Sequence, residues 1–156
     1  MIDASLNIRR MAALDSEALA DTFAAWHKPL SQFENYYLEQ MLEKRLVLVA
    51  LLGEKIIGYN TLIWESPYTH FWRRRIPEIV DLNVWPTYQR QGVGKALIAR
   101  CEMEAHAHGY MYVGISVVQT SDYANAERLY RALFYVPDGF GVTHEDNELH
   151  LIKKLG

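Results

Sequence analysis

The stretch Gln89-Arg90-Gln91-Gly92-Val93-Gly94 constrains this chain more than any other. It follows an apolar segment ending at Val84 and Trp85, and it runs straight into the helix-forming residues Ala96-Leu97-Ile98, so it reads as a strand–turn–helix junction. Gly92 and Gly94 remove side chains where a backbone would come close to a ligand. The helix beyond them begins with N–H groups that lack an intrahelical partner and with the positive end of its dipole, a combination that attracts anions. The junction therefore predicts a phosphate or pyrophosphate cradle made mostly of backbone.

Spacing narrows the ligand. A Walker loop would end in Gly-Lys-Ser/Thr, but Gly94-Lys95 is followed by Ala96, which argues against a nucleoside triphosphate hydrolase. A dinucleotide fingerprint would need a third glycine, and only one residue separates the two present. A formal net charge of −3 argues against a general nucleic-acid binder, although Arg73-Arg74-Arg75 forms a local basic run. The single cysteine, Cys101, rules out an intrachain disulfide and suits a reducing cytoplasm. No apolar stretch reaches the roughly 18 residues of a membrane span. Met1-Ile2-Asp3-Ala4-Ser5 lacks the charged and apolar regions of a secretion signal, so the expectation is a cytoplasmic protein without a membrane partner.

The remaining elements follow from periodicity. Leu6 to Arg10 reads as a short first strand. Asp15 or Ser16 is expected to cap a helix carrying Leu19, Phe23 and Trp26 on one face. Pro29 breaks it, and a second helix places Phe33, Tyr37 and Met41 four apart. Leu46 to Leu52 is a continuous apolar run, as in a buried central strand, and Gly53-Glu54-Lys55 turns it back into Ile56 to Trp64. Glu65 to Arg75 reads as loop, and Ile76 to Val84 as a strand stopped by Pro86. Val93, Leu97, Cys101 and Ala105 form one helix face, ended by Gly109. Tyr112 to Val118 is a strand, and Ala124 to Leu133 a helix with Ala126, Leu129, Tyr130 and Leu133 on its apolar side. Asp138-Gly139 makes a turn, and Leu149 to Leu155 closes as a strand. The order is βααββββαβαββ or close to it. With no repeat and no linker in 156 residues, this predicts one mixed α/β (α+β) domain over 1–156.

Residues Ile79 to Leu97, with Gln89, Gly92 and Gly94 at the marked positions of [Q/R]-x-x-G-x-[G/A] after a strand, resemble the acyl-CoA-binding motif of the GNAT superfamily of acetyl-CoA-dependent N-acetyltransferases. Roughly 35 residues downstream, Ala126-Glu127-Arg128-Leu129-Tyr130 resembles that family's second motif, A-x-x-L-Y. The element order matches along nearly the whole length. Two departures stand out. Phe134-Tyr135 occupies the place of the usual Gly-Phe or Gly-Tyr, and Tyr123 stands where an Asn is common, with Asn125 nearby.

The resemblance implies a mostly antiparallel central sheet with helices on both faces and a splayed strand pair for acyl-CoA. The backbone of Leu82, Asn83 and Val84 would pair with the pantetheine amides. The N–H groups of Gln91, Gly92, Val93, Gly94 and Lys95 would hold the pyrophosphate of acetyl-CoA, with Arg90 and Lys95 adding charge. Tyr130 would protonate the departing thiolate, although periodicity alone makes it a core aromatic. Glu78 or Asp81 would deprotonate the amine. Three apart on a regular strand, these two point to opposite faces, so only one can reach the acceptor. Asp81, inside an apolar run, is equally readable as a structural hydrogen bonder. Homodimers are common in the family.

The acceptor is less legible. Trp26, His27, Tyr36, Tyr37 and the segment Trp64 to Trp72 bring aromatics to where this fold lines its acceptor site, and with Glu65 they would hold an ammonium or polyamine. A small-molecule primary amine is the expected acceptor. His106 and His108, two apart on a helix, do not share a face, so no metal pair is expected. Cys101 reads as an inert core thiol. The alternative to an enzyme is a sensor of the same fold that binds acyl-CoA without turnover. Such a module needs the glycine turn but not the Tyr130 phenol.

Overall fold

The computed structural model describes residues 5–156. The residues before Ser5, on which most of the secretion-signal reading rests, lie outside them. Seven strands form one sheet: β1 Leu6–Arg10, β2 Arg45–Leu52, β3 Lys55–Ile63, β4 Glu78–Val84, β5 Tyr112–Val118, β6 Val136–Val142 and β7 Glu148–Lys154. Among the described residues five α-helices accompany it: α1 Asp15–Thr22, α2 Leu30–Met41, α3 Thr69–Arg74, α4 Val93–Ala107 and α5 Ala124–Ala132. The sheet order is β1-β2-β3-β4-β5-β7-β6, with every neighbouring pair antiparallel except β4–β5. No helix among the described residues is long and apolar enough to cross a membrane.

The sheet is covered on both faces, which is why β2 reads as an unbroken apolar run. Leu46, Leu48 and Ala50 join Leu97, Ile98, Cys101 and Ala105 of α4 in one core. Val47, Val49 and Leu51 alternate onto the other face and meet Leu19, Phe23 and Phe33 from the α1–α2 side. Truncating one such leucine to alanine typically costs about 2–5 kcal/mol.

Several local expectations change. Asp15 does not cap α1. It is the first helical residue, and its carboxylate accepts from the Ala12 N–H and from Arg9. Trp26 lies in a separate 3-10 turn, Ala24–Trp26, after the helix ends. Met41 is exposed, because α2 rotates Phe33 rather than the whole i,i+4 row into the core. The observed order is βααββαβαβαββ, with α3 standing where a loop was read. Helix α3 is only six residues long, too short for a periodic signal, and tertiary packing fixes it. Its Phe71 is fully buried against Gly114 of β5, where a Cβ would overlap the aromatic ring. Asp138-Gly139 is not a hairpin turn but part of a bulge within β6, whose pairing with β7 slips between Pro137 and Val142.

One irregularity shapes the site. Tyr59 pairs with Asn83 and Thr61 with Val80, so β4 carries an extra residue relative to β3. Asp81 sits in this bulge at φ +59°, a conformation that non-glycine residues enter at a cost. On its other edge, β4 pairs with β5 only at Glu78–Gly114 and Ile79–Ile115. Beyond those two pairs the strands diverge.

Candidate active site

The divergence opens a cleft of about 500 Å³ lined by β4 from Glu78 to Asn83, by β5 from Ile115 to Val118, and by Lys28, Tyr123, Tyr130 and Glu148. A pair of parallel strands that part company leaves backbone donors and acceptors facing the gap, and an extended ligand with amide groups can satisfy them. Leu82 and Asn83 lie on the open stretch, and Val84 ends the strand beside it. The Asn83 side chain donates to Tyr59 Oη and to Asp81.

The glycine turn stands at the end of β4. Gly92 adopts φ +88° as the residue preceding α4, no side chain caps that helix, and its first turn carries no acidic residue. The opening N–H groups of Val93, Gly94 and Lys95 are thus left to an anion. Gln89 does not reach outward; its side-chain amide donates to the Val84 carbonyl and ties the turn to the strand. Gln91 likewise donates to the Thr87 carbonyl. Arg90 is exposed at φ +61°. A Cβ on Gly94 would meet Leu129 at an ordinary 3.6 Å, so the protein's own packing does not demand glycine there.

Tyr130, projecting from α5, is 8% exposed and lines the cleft. Its ring lies edge-on to Tyr135, and its hydroxyl has no hydrogen-bond partner among the described residues. Burial pushes the phenol up to about 12, so it stays protonated at neutral pH and able to donate.

The two carboxylates have different surroundings. The bulge places Ile79 and Leu82 together against the α4 core, so the regular alternation that would set Glu78 and Asp81 on opposite faces is broken, and both line the cleft. Asp81 accepts from five side chains: Lys28 Nζ at 2.8 Å, Gln32 Nε2 at 3.2 Å, Tyr36 Oη at 2.8 Å, Tyr59 Oη at 2.7 Å and Asn83 Nδ2 at 2.7 Å. Burial alone would raise its pKa, but the bonds from Lys28, Tyr59 and Tyr36 outweigh it and hold the group below the usual carboxylate range. Glu78 is 5% exposed and accepts from Ser66 Oγ at 2.5 Å. Its burial dominates over the hydrogen bonds from Ser66 and Ser116 and raises its pKa. Glu148 lines the same cleft and is lifted to about 6 by burial and by repulsion from Asp146 and Glu78.

Sequence reading missed Glu148, Lys28 and the two serines. Each reaches the site through long-range pairing, Glu148 by the register that sets it opposite Val118. Asn125 is exposed and bonded to Arg128, whereas Tyr123 lines the cleft. The expected aromatic acceptor wall is divided. Trp26 stacks on Trp85, while Trp64 and Glu65 belong to a different depression, with Trp64 stacked on Tyr110. Cys101 is fully buried, accepts from Asn60, and has its thiol pKa pushed up by burial.

A model of the acetyltransferase (GNAT) family matches residues 11–134. No curated protein matches the chain significantly. Among solved structures, an N-acetyltransferase from Staphylococcus aureus Mu50 superposes with a TM-score of 0.77 at 14% identity, covering 98% of this chain and 100% of that one. The PaiA N-acetyltransferase of Thermoplasma acidophilum, solved with coenzyme A, gives 0.75 at 17% identity, over 96% and 99% of the two chains. The protein yncA of Salmonella typhimurium, solved with its cofactor acetyl-CoA, gives 0.74 at 20% identity, over 97% and 95%. At these identities the likeness is one of fold.

Proposed function

The chain belongs to the GNAT family of acetyltransferases, and we propose that it forms a single catalytic domain that moves acetyl from acetyl-CoA directly to the primary amine of a small molecule. The observation that carries this reading is one cleft holding the parted β4 and β5 edges, the Tyr130 hydroxyl and the Glu78–Glu148 carboxylates. Bound acetyl-CoA supplies an acyl group on a thiolate leaving group.

The chain's own residues supply orientation and proton traffic. Backbone of Leu82 to Val84 holds the pantetheine arm as an added strand, and the N–H groups from Gln91 to Lys95 hold the pyrophosphate, with Arg90 and Lys95 adding positive charge at the rim. Asn125, tied to Arg128 and outside the cleft, is assigned no part in this contact. Glu78, with its raised pKa and its neighbour Glu148, takes the proton that the attacking ammonium must lose. Tyr130 donates its phenolic proton to the sulfur as the C–S bond breaks. Asp81 is a positioning residue: its acceptor capacity is taken up by five donors, and it pins the α1–α2 segment to the bulge. A buried phenol poised for proton donation is what a pure acyl-CoA sensor has no use for.

Incubating the protein with acetyl-CoA and a panel of primary amines, with products read by mass spectrometry, tests this reading. Acetylated amine is expected; tight coenzyme A binding with no acetylated product would favour the sensor.

A further inference from the structure

A groove of about 460 Å³ lies beside α3, lined among others by Trp64, Glu65, Trp72, Arg73, Arg75 and Tyr110. Tyr110 leads into β5, and Ile76, which also lines the groove, leads into β4, so it stands at the end of the sheet where those two strands begin. The glycine turn follows the other end of β4, roughly 20 Å away at the rise of a strand of this length. The groove shares no lining residue with the reacting cleft.

Its walls are aromatic and its charge is positive. Trp72 is 60% exposed, a large indole face that the fold leaves open. Trp64 and Tyr110 stack at 5.5 Å with 22° between their planes, and the Arg75 guanidinium sits 5.8 Å from the centre of the Tyr110 ring. Arg73 and Arg75 are exposed and form no ion pair among the described residues, and neither does Glu65, the one carboxylate lining the groove. Two guanidiniums against one carboxylate leave a local positive excess on a chain whose formal net charge is −3. Arg75 ends α3 at φ +56°, a conformation that glycine enters more readily, so backbone geometry gives no reason for an arginine there.

A guanidinium fork matches phosphate oxygens, and an open indole face takes a nucleobase by stacking. We propose that this groove is a binding site for a nucleoside monophosphate, with the base against Trp72 and the phosphate on Arg73 and Arg75. An acidic peptide would use the arginines but has no need of the rings. A long nucleic acid would run past the local positive excess onto a surface of net negative charge, whereas a single nucleotide stays within it. Standing at the opposite end of β4 from the glycine turn, the site is separate from the one that would hold the pyrophosphate of acetyl-CoA.

The test titrates adenosine, guanosine, cytidine and uridine monophosphates into the protein by calorimetry, with and without saturating coenzyme A. The wild type is compared with Arg73→Gln/Arg75→Gln and with Trp72→Ala. All three side chains are exposed, and thermal unfolding checks that the variants fold. At least one nucleotide is expected to bind the wild type saturably whether or not coenzyme A is present, about tenfold or more tighter than inorganic phosphate, and each variant to weaken it by about tenfold. No saturable binding, binding that coenzyme A abolishes, or a variant that binds as the wild type does overturns the site, and so does inorganic phosphate binding as tightly as the nucleotides. An oligouridylate that binds far more tightly than uridine monophosphate overturns the mononucleotide reading in favour of single-stranded RNA. None of these outcomes depends on turnover, so acetyl transfer stands or falls separately.

Discussion

The Tyr59 hydroxyl donates to the Asp81 carboxylate across 2.7 Å, joining the central strand β3 to the bulge of β4 at the point where β4 begins to part from β5. Lys28 and Tyr36 reach the same carboxylate from the segment covering that face of the sheet. One side chain thus holds the bulge in its left-handed conformation and anchors the helices above it.

Asp81→Asn is therefore expected to destabilise the fold by about 2–4 kcal/mol, because it leaves the Lys28 ammonium without its partner and breaks a shared network. Because the folded-state pKa of Asp81 lies below its unfolded value, its contribution is full above the unfolded value and is lost as pH falls through the folded one. The penalty of Asp81→Asn should shrink accordingly in strong acid. Chemical denaturation of both proteins at neutral and acid pH checks this.

Tyr130→Phe removes the proton donor and little else, since the hydroxyl carries no hydrogen bond among the described residues. We expect kcat to fall by about 10²-fold, within the usual range for losing a general acid. Coenzyme A affinity, measured by calorimetry, should stay within a factor of two or so of the wild type, as expected for a group that acts only in the transition state. An unchanged kcat would remove the acid role.

Glu78 and Glu148 share one space, so they titrate as a pair. The rate kcat/KM is expected to rise with pH over a range displaced above the ordinary carboxylate range, because the base must be ionised to accept a proton and burial raises both groups. Glu78→Gln should abolish that limb and slow turnover by about 10²-fold or more. Stability should respond in the opposite sense. A folded-state pKa above the unfolded one stabilises the protein below the unfolded value, and this is lost as pH rises through the folded value. Glu78→Gln should therefore gain stability relative to the wild type as pH rises from the unfolded value through the folded one.

Phe134 stands where the motif that this segment resembles has glycine, and it adopts φ +74° while 78% exposed. It keeps little packing to offset a conformation that glycine enters freely. Phe134→Gly is expected to stabilise the protein by about 0.5–1 kcal/mol, after allowing for the extra freedom glycine gives the unfolded chain. Thermal unfolding of the two proteins measures it.

How much of this was legible in the sequence follows from the range of the interactions involved. The strand–turn–helix at Gln89 to Gly94, the apolar run of β2 and the stripe of α4 are local patterns, and each stands where periodicity puts it. Helix α3 was hidden because its six residues are placed by Phe71 packing over Gly114, a contact between distant parts of the chain. The bulge at Asp81 was hidden for the same reason, since only the register against β3 reveals the extra residue. That bulge brings Glu78 and Asp81 into one cleft, where a regular strand would separate them. Glu148 enters the site through the β5–β7 register, and the strand alternation around it carries no sign of that.

Direct transfer within one cleft is tested most directly by initial rates of thiol release from acetyl-CoA, measured while acetyl-CoA and a primary amine are varied together. Transfer through a ternary complex predicts amine-dependent release with reciprocal plots that intersect. Parallel plots, which signal an acyl-enzyme, or release that no amine accelerates, would contradict it.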